Sequence, residues 1–231
     1  MRTLLTFLLL ASLAVAGGMW SPGLEIAWSL EASDSARDGS GNDYTGALRN
    51  TTLSLGTFGN CDSFRGDSSS YAHCGTNPIV GSSPFTITAW FYVEANATHG
   101  IGIMLGNVAS SKQGAWMGTY SNTPNIGGGF TGTNLNSGLN CSDGWHFGTL
   151  TASGGDAADT VKLYVDLVQR ASAVVASINM QASPLIIGKA RLLQSVSYPY
   201  KGRIDEIQVW TRVLTLPELQ RVKMRFTPGS G

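Results

Sequence analysis

The stretch Phe85-Thr86-Ile87-Thr88-Ala89-Trp90-Phe91 alternates apolar residues with threonines for most of its length. A period of two places successive side chains on opposite faces, so this stretch predicts a half-buried β-strand. Lys162-Leu163-Tyr164-Val165-Asp166 repeats the pattern further along the chain. Other short apolar runs lie between clusters of Gly, Ser, Asn and Asp, as strands lie between turns. The sequence therefore predicts an all-β protein with two antiparallel sheets packed as a sandwich.

The predicted strands are short and spread along the whole chain after its first residues. They are Leu24–Leu30, Thr52–Phe58, Ser70–Cys74, Phe85–Val93, Ile101–Gly106, Ala115–Tyr120, Trp145–Thr151, Val161–Leu167, Leu185–Ile187 and Arg203–Trp210.

One short helix is predicted near the C-terminus. Thr215-Leu216-Pro217-Glu218 has the pattern of a capping box, in which Thr215 caps the helix and Glu218 reaches back to it. Leu216, Leu219 and Val222 recur at three-residue spacing, which predicts one apolar face packed against a sheet.

Composition limits the classes of partner. The chain has 231 residues, 42% of them hydrophobic, and its 15 basic residues balance 15 acidic ones. Without a basic face the chain is a poor match for nucleic acid. No stretch after the first residues reaches the roughly 20 apolar residues of a membrane-spanning helix, so no span is expected after signal cleavage.

The N-terminus has the pattern of a secretory signal peptide. Arg2 precedes an apolar run that ends at the small-residue site Ala14-Val15-Ala16. We therefore predict a signal peptide over residues 1–16, one domain over residues 17–226 and a flexible tail over residues 227–231. An uncleaved anchor is the alternative, although the run is short for a span. The signal predicts a secreted, extracellular protein.

Export would place three cysteines in an oxidising compartment. If residues 61–74 form a hairpin around Gly66-Asp67-Ser68-Ser69, Cys61 faces Cys74 at a separation that a disulfide tolerates. A Cys61–Cys74 disulfide is therefore predicted. Cys141 is then left over, either buried and inert or paired between chains.

Several segments carry recognisable motifs in a fixed order along the chain. They are Ala27–Leu30, Asp38–Gly46, Phe85–Phe91, Asp143–His146, Val161–Asp166, Ile186–Gly188, Tyr200–Trp210 and Leu214–Leu219. In this order they resemble the laminin G-like, or concanavalin A-like lectin/glucanase, jelly-roll family, although Leu167 stands where the family pattern has glycine. The resemblance implies a jelly-roll β-sandwich with a short C-terminal helix and spans nearly all of the chain after the signal.

The resemblance also implies a structural calcium ion between an early loop and the closing strand. Its candidate ligands in this sequence are Asp38, Asn42 and Asp205. Carboxylate, amide and backbone oxygens at short spacing suit calcium, which takes six to eight oxygen ligands. The alternative is that Asp38 and Asn42 only form a hydrogen-bonded turn.

Glycosidases share this fold, but the sequence does not favour catalysis. A related glucanase pattern places three carboxylates at alternate positions of one strand, whereas here Arg203 occupies the first of these positions. Asp205 and Glu206 are adjacent, so a regular strand would point them to opposite faces, away from a shared glycosidic bond. We therefore expect a non-catalytic protein and keep glycoside hydrolysis as the weaker alternative.

Carbohydrate binding needs exposed aromatic faces beside hydrogen-bonding groups. Trp116 and Tyr120 lie four residues apart in one predicted strand and so point the same way, with Asn122 next to them. These three residues are the predicted carbohydrate site, and the alternative is that Trp116 belongs to the core. Tyr198 and Tyr200 form a second aromatic candidate.

The function expected from these observations is a secreted, non-catalytic binding module that recognises carbohydrate or a glycoprotein surface, with calcium as structural support. The alternative is a structural or interaction subunit of an extracellular assembly, in which the domain self-associates. Fold resemblance does not choose between them, because function resides in sites and not in folds.

Overall fold

The computed structural model describes residues 22–31, 35–57, 59–107, 110–155, 158–190 and 198–225. The predicted signal peptide and the predicted tail lie outside these residues. Within them the chain forms sixteen strands and one helix, and every pair of neighbouring strands is antiparallel. The predicted two-sheet sandwich with a C-terminal helix is confirmed.

Eight strands form the first sheet, called sheet 1, in the order β14-β13-β12-β7-β16-β5-β4, with β1 also paired to β16. They are β1 (Leu24–Trp28), β4 (Thr52–Leu55), β5 (Asn60–Arg65), β7 (Phe85–Val93), β12 (Trp145–Ala152), β13 (Asp159–Val165), β14 (Val168–Val175) and β16 (Lys201–Trp210).

The other eight form sheet 2, in the order β11-β10-β9-β8-β15-β6-β3-β2. They are β2 (Ser35–Ala36), β3 (Gly46–Arg49), β6 (Tyr71–His73), β8 (Gly100–Gly106), β9 (Gly114–Thr119), β10 (Asn125–Phe130), β11 (Thr133–Asn140) and β15 (Ile186–Ile187).

The main core lies between the two sheets. Ile87 and Phe91 of β7 meet Ile103 of β8 and Met117 of β9 in one buried cluster. The side of each sheet that points away from this core is called its outer face. Strand β7 was expected to be half-buried, but nearly all of it is buried. The reason is a second apolar cluster on the outer face of sheet 1, built around Trp90.

Helix α1 (Leu216–Arg225) covers part of that outer face. The predicted capping box is confirmed, because the backbone N–H and the hydroxyl of Thr215 both donate to Glu218 Oε2 at 2.8 Å. Leu219 and Val222 are buried against the sheet as predicted, whereas Leu216 is 47% exposed. The apolar face of the helix is therefore narrower than the spacing predicted.

The predicted hairpin over residues 61–74 is wrong. Strand β5 pairs with β4 and β16 in sheet 1, whereas β6 pairs with β3 and β15 in sheet 2. The turn at Asp67 forms as expected and its carboxylate accepts from Ser69 and Ser70, but it links the two sheets. Cys61 consequently lies in sheet 1, whereas Cys74 directly follows strand β6 of sheet 2.

All three cysteines are buried free thiols in the structure, so the predicted Cys61–Cys74 disulfide is not formed. Cys74 and Cys141 lie in the main core. Burial raises the pKa of the Cys61 thiol to about 12 and that of Cys74 to about 11. These thiols are therefore protonated and packed as small apolar groups.

Candidate functional site

Trp116 and Tyr120 lie together on the outer face of sheet 2, as their spacing predicted. Trp116 opposes Met104 in register, and Met104 opposes Ile186 in the next strand. These side chains form a small apolar cluster in which Trp116 is only 3% exposed and Tyr120 is half-buried. Trp116 is thus a buried residue of the outer face, neither an open platform nor part of the core between the sheets.

The glycines of β10 make room for these rings. Gly127 lies beside Tyr120, and a Cβ placed on it would come 2.9 Å from the Tyr120 Cβ. Gly129 opposes Trp116 in register, and beyond it Asn134 accepts a hydrogen bond from Trp116 Nε1 at 3.2 Å. A side chain on Gly127 would displace Tyr120, whereas one on Gly129, whose φ is +138°, would collide with the Thr133 carbonyl oxygen, so both positions require glycine.

His99 and Tyr198 extend the aromatic cluster, and sequence reasoning missed their connection. The His99 ring lies 5.6 Å from the Trp116 ring and 4.8 Å from that of Tyr198, centroid to centroid. Tyr198 is 47% exposed, so the series Trp116–His99–Tyr198 runs from a buried indole to an open phenol. Burial lowers the pKa of His99, which favours the neutral imidazole.

Tyr200 does not belong to this face. It is fully buried, its hydroxyl donates to the Tyr92 carbonyl at 3.1 Å, and its ring packs edge-on against Phe91. The pair Tyr198 and Tyr200 is therefore divided between the surface and the core.

Asparagines border the aromatic cluster. Asn122 is exposed in the turn after β9, where the backbone N–H of Ser121 donates to His99 Nδ1 at 3.2 Å. Asn125 Nδ2 donates to Asn136 Oδ1 at 3.1 Å, and Asn134 is exposed on β11. Each amide offers both donors and an acceptor, the groups that pair with sugar hydroxyls.

Asp38 and Asn42, two of the candidate calcium ligands, form hydrogen bonds within their own loop and to strand β1. The two oxygens of Asp38 accept from the backbone N–H groups of Ala27, Ser40 and Tyr44 and from the Ser40 hydroxyl, at 2.8–3.0 Å. Asn42 directs its amide N–H₂ to the carbonyls of Leu24 and Glu25. This is the pattern of a structural turn that holds β1.

Asp205 belongs to a different environment. It opposes Trp90 in register, and its Oδ2 accepts from the backbone N–H and the hydroxyl of Thr57 at 2.9 and 3.0 Å. Thr57 is not among the hydrogen-bond partners of Asp38 or Asn42 described in the preceding turn. Calcium binding by Asp38, Asn42 and Asp205 stays a prediction that chelation can test.

The strand that carries Asp205 is irregular at this point. Glu206 has a φ of +51°, and the register with β7 shifts between Asp205 and Gln208. The regular alternation that would have placed Asp205 and Glu206 on opposite faces is thus interrupted. Burial, and secondarily the charge of Asp205, raise the pKa of Glu206 to about 8.

Arg203 stands on the same strand where a glucanase would carry a carboxylate. Its guanidinium stacks 3.7 Å from the Tyr92 ring centroid, and it donates to the Leu55 carbonyl at 3.1 Å. On the neighbouring part of sheet 1, His146 Nδ1 lies 2.7 Å from Asp166 Oδ2. Among the described residues no group of three or more His, Cys, Asp or Glu side chains could hold a metal ion.

Comparison with known proteins identifies the class. Residues 66–220 match the laminin G model of the concanavalin A-like lectin/glucanases superfamily. This chain belongs to that family, as the sequence motifs indicated. No curated protein matches the sequence well enough to count as a relative.

Solved structures share the fold at low sequence identity. Domain 4 of AbnA, a GH43 extracellular arabinanase from Geobacillus stearothermophilus solved with arabinotriose, has a TM-score of 0.65 and 17% identity over 87% of this chain and 98% of that one. The binding domain of Paraclostridial Mosquitocidal Protein 1 has a TM-score of 0.57 and 16% identity over 88% of this chain and 52% of that one.

Trypanosoma rangeli sialidase, solved with 2,3-difluorosialic acid, has a TM-score of 0.64 and 14% identity over 89% of this chain. This chain spans about half of the mosquitocidal binding domain and only 34% of the sialidase. These likenesses concern the fold. Within the described residues no helix is long and apolar enough to cross a membrane.

Proposed function

We propose that this protein is a secreted, non-catalytic carbohydrate-binding module whose ligand lies on the outer face of sheet 2. The observation that carries the proposal is the aromatic series Trp116–His99–Tyr198, bordered by exposed asparagines. Sugar rings have an apolar C–H face and a rim of hydroxyls, so they suit a surface that combines aromatic faces with amide groups.

The residues of this face would divide the work. Tyr198 and Tyr120 have open ring surface and would contact the sugar directly. Trp116 and His99 would hold them in place, because Trp116 is buried beneath His99 and hydrogen-bonded to Asn134. Asn122 and Asn134 would supply hydrogen bonds at the rim.

Two further observations support the proposal. Domain 4 of AbnA, which this chain resembles over nearly that whole domain, was solved with arabinotriose. Secretion follows from the predicted signal peptide over residues 1–16, and N-terminal sequencing of the exported protein should begin at Gly17.

A glycan array tests the proposal. The wild-type protein should be retained by one glycan class, and Tyr198→Ala should weaken that retention about tenfold or more, as loss of an aromatic anchor does. Tyr164→Ala is the matched control, because Tyr164 is a half-buried tyrosine of sheet 1. A wild-type protein without glycan retention, or equal losses in the two variants, would contradict the proposal.

The assembly alternative rests on one edge of sheet 1. Strand β4 ends the sheet, and its Leu55 and Leu53 are 76% and 38% exposed. An apolar edge strand favours pairing with another copy. Light scattering after size-exclusion chromatography should then show an oligomer that Leu55→Lys reduces to monomer, and a wild-type monomer would remove this alternative.

A further inference from the structure

A cavity of about 590 Å³ lies between helix α1 and the outer face of sheet 1, on the opposite side of the sandwich from the proposed glycan face. Leu24, Leu214 and Val222 give it an apolar wall, and the side chains of Gln208 and Trp210 also line it. A volume of this size accommodates a small organic molecule. The site is independent of the proposed carbohydrate function.

Two side chains that line this cavity each carry a buried polar atom with no hydrogen-bond partner in the part of the chain that the structure describes. The two atoms are the indole N–H of Trp210 and the Oε1 of Gln208, on side chains that are 4% and 5% exposed. Leaving a buried polar atom unpaired is costly, and native proteins pair the large majority of them. A small movement of these two side chains would present one donor and one acceptor to a ligand in the cavity, which would give both atoms a partner.

The charged residues around the cavity favour an anion. Three arginines line it, Arg212, Arg221 and Arg225, against one carboxylate, that of Glu218. Glu218 already binds Arg212 at 2.8 Å and caps the helix through Thr215. The other two guanidinium groups form no ion pair with a described residue and leave the cavity positively charged.

We infer that this cavity binds a small organic anion with a flat apolar body and one hydrogen-bond donor. The anionic group accepts from the Trp210 N–H and faces Arg221 and Arg225, in the manner of charge-assisted hydrogen bonds. The apolar body packs against the wall formed by Leu24, Leu214 and Val222. The ligand's donor reaches Gln208 Oε1.

A pair of fluorescent probes tests this inference on the full chain. 8-Anilinonaphthalene-1-sulfonate carries an anion, an aromatic body and one N–H, whereas N-phenyl-1-naphthylamine has the same body and N–H without the anion. The sulfonate should bind in a 1:1 ratio, and the neutral amine should bind at least about tenfold more weakly. Equal affinity for the two probes would overturn the inference.

Substitutions locate the binding. Trp210→Phe replaces the indole with a smaller aromatic ring that has no N–H, so it should weaken sulfonate binding about tenfold. Arg225→Ala should weaken it by a similar factor. Gln208→Leu removes the acceptor and should also weaken sulfonate binding, and it replaces Trp210→Phe in the test if that variant does not fold. Arg170→Ala, an exposed arginine of β14, is the control and should leave binding unchanged.

The two proposals separate cleanly. Tyr198→Ala should reduce glycan retention and leave sulfonate binding intact, whereas Arg225→Ala should do the reverse. Loss of sulfonate binding in Tyr198→Ala, or undiminished binding in the cavity variants, would show that the anion binds elsewhere and would overturn the inference.

Discussion

Replacing Trp116 with alanine should destabilise the protein far more than replacing Tyr198, although the two side chains belong to one aromatic series. Trp116 is 3% exposed and packs with Met104 and Ile186, whereas Tyr198 is 47% exposed. The alanine variant of Trp116 loses buried apolar contacts and also the hydrogen bond from Nε1 to Asn134.

The expected magnitude follows from this burial. Truncating a buried tryptophan to alanine costs about 3–5 kcal/mol of the free energy of unfolding. For a domain of this size each kcal/mol lowers the melting temperature by about 2–4 °C, so Trp116→Ala should lower it by roughly 6–20 °C. Tyr198→Ala removes a half-exposed ring and should cost about 1 kcal/mol or less.

Thermal unfolding followed by circular dichroism measures both variants against the wild type. Trp116→Phe is a useful intermediate, because it retains most of the ring and loses only the indole N–H and part of the volume. If Trp116→Ala melts within about 2 °C of the wild type, the indole is not packed as the structure has it, and the reasoning fails.

Three further predictions concern the thiols, the turn and a buried carboxyl. Thiol titration in denaturant without reductant should find three free thiols, whereas a Cys61–Cys74 disulfide would leave one. Asp38→Ala should lower the melting temperature equally with and without chelator, because its carboxylate accepts hydrogen bonds within the turn. If the substitution lowers the melting temperature only when calcium is present, Asp38 is a calcium ligand. The pKa of Glu206 is raised from 4.5 to about 8 in the folded protein, so the folded state binds this proton more tightly than the unfolded state does. The free energy of unfolding should therefore fall as the pH rises from about 4.5 to about 8. Glu206→Gln should flatten that fall, and an unchanged pH profile would show that Glu206 ionises freely.

Local patterns predicted the local elements well. The capping box of Thr215 and Glu218 specifies the start of helix α1 through bonds within four residues, so no distant partner is needed. Strand β7 was recognised from its alternation, although burial of its second face could not be read from it. That burial depends on Trp90 meeting the helix, which is a long-range contact.

The sequence analysis did not predict strands β10 and β11, which border the candidate site. Strands β10 and β11 are rich in glycine and asparagine, residues of low strand propensity that usually mark turns. They are strands because β10 pairs with both β9 and β11, and because Tyr120 needs the bare backbone of Gly127. Strand propensity reflects the average environment of a residue type, whereas here pairing with particular neighbouring strands determines the conformation.

The errors at residues 61–74 and at Glu206 have a related origin. A tight turn around Asp67 is compatible with a hairpin and with a crossing between sheets, and only the partners of β5 and β6 distinguish them. The bulge at Glu206 is equally invisible in the sequence. The link from His99 to Tyr198 joins two distant loops, and no periodicity indicates such a contact.

The most direct test of the carbohydrate proposal is a titration of ¹⁵N-labelled protein with the glycan that gives the highest array signal, followed by nuclear magnetic resonance. The account predicts that amide shifts concentrate at Tyr120, Asn122, Asn134 and Tyr198, on the outer face of sheet 2, and that sheet 1 stays unchanged. Shifts confined to sheet 1, or a bound glycan that leaves these four residues unmoved, would contradict it.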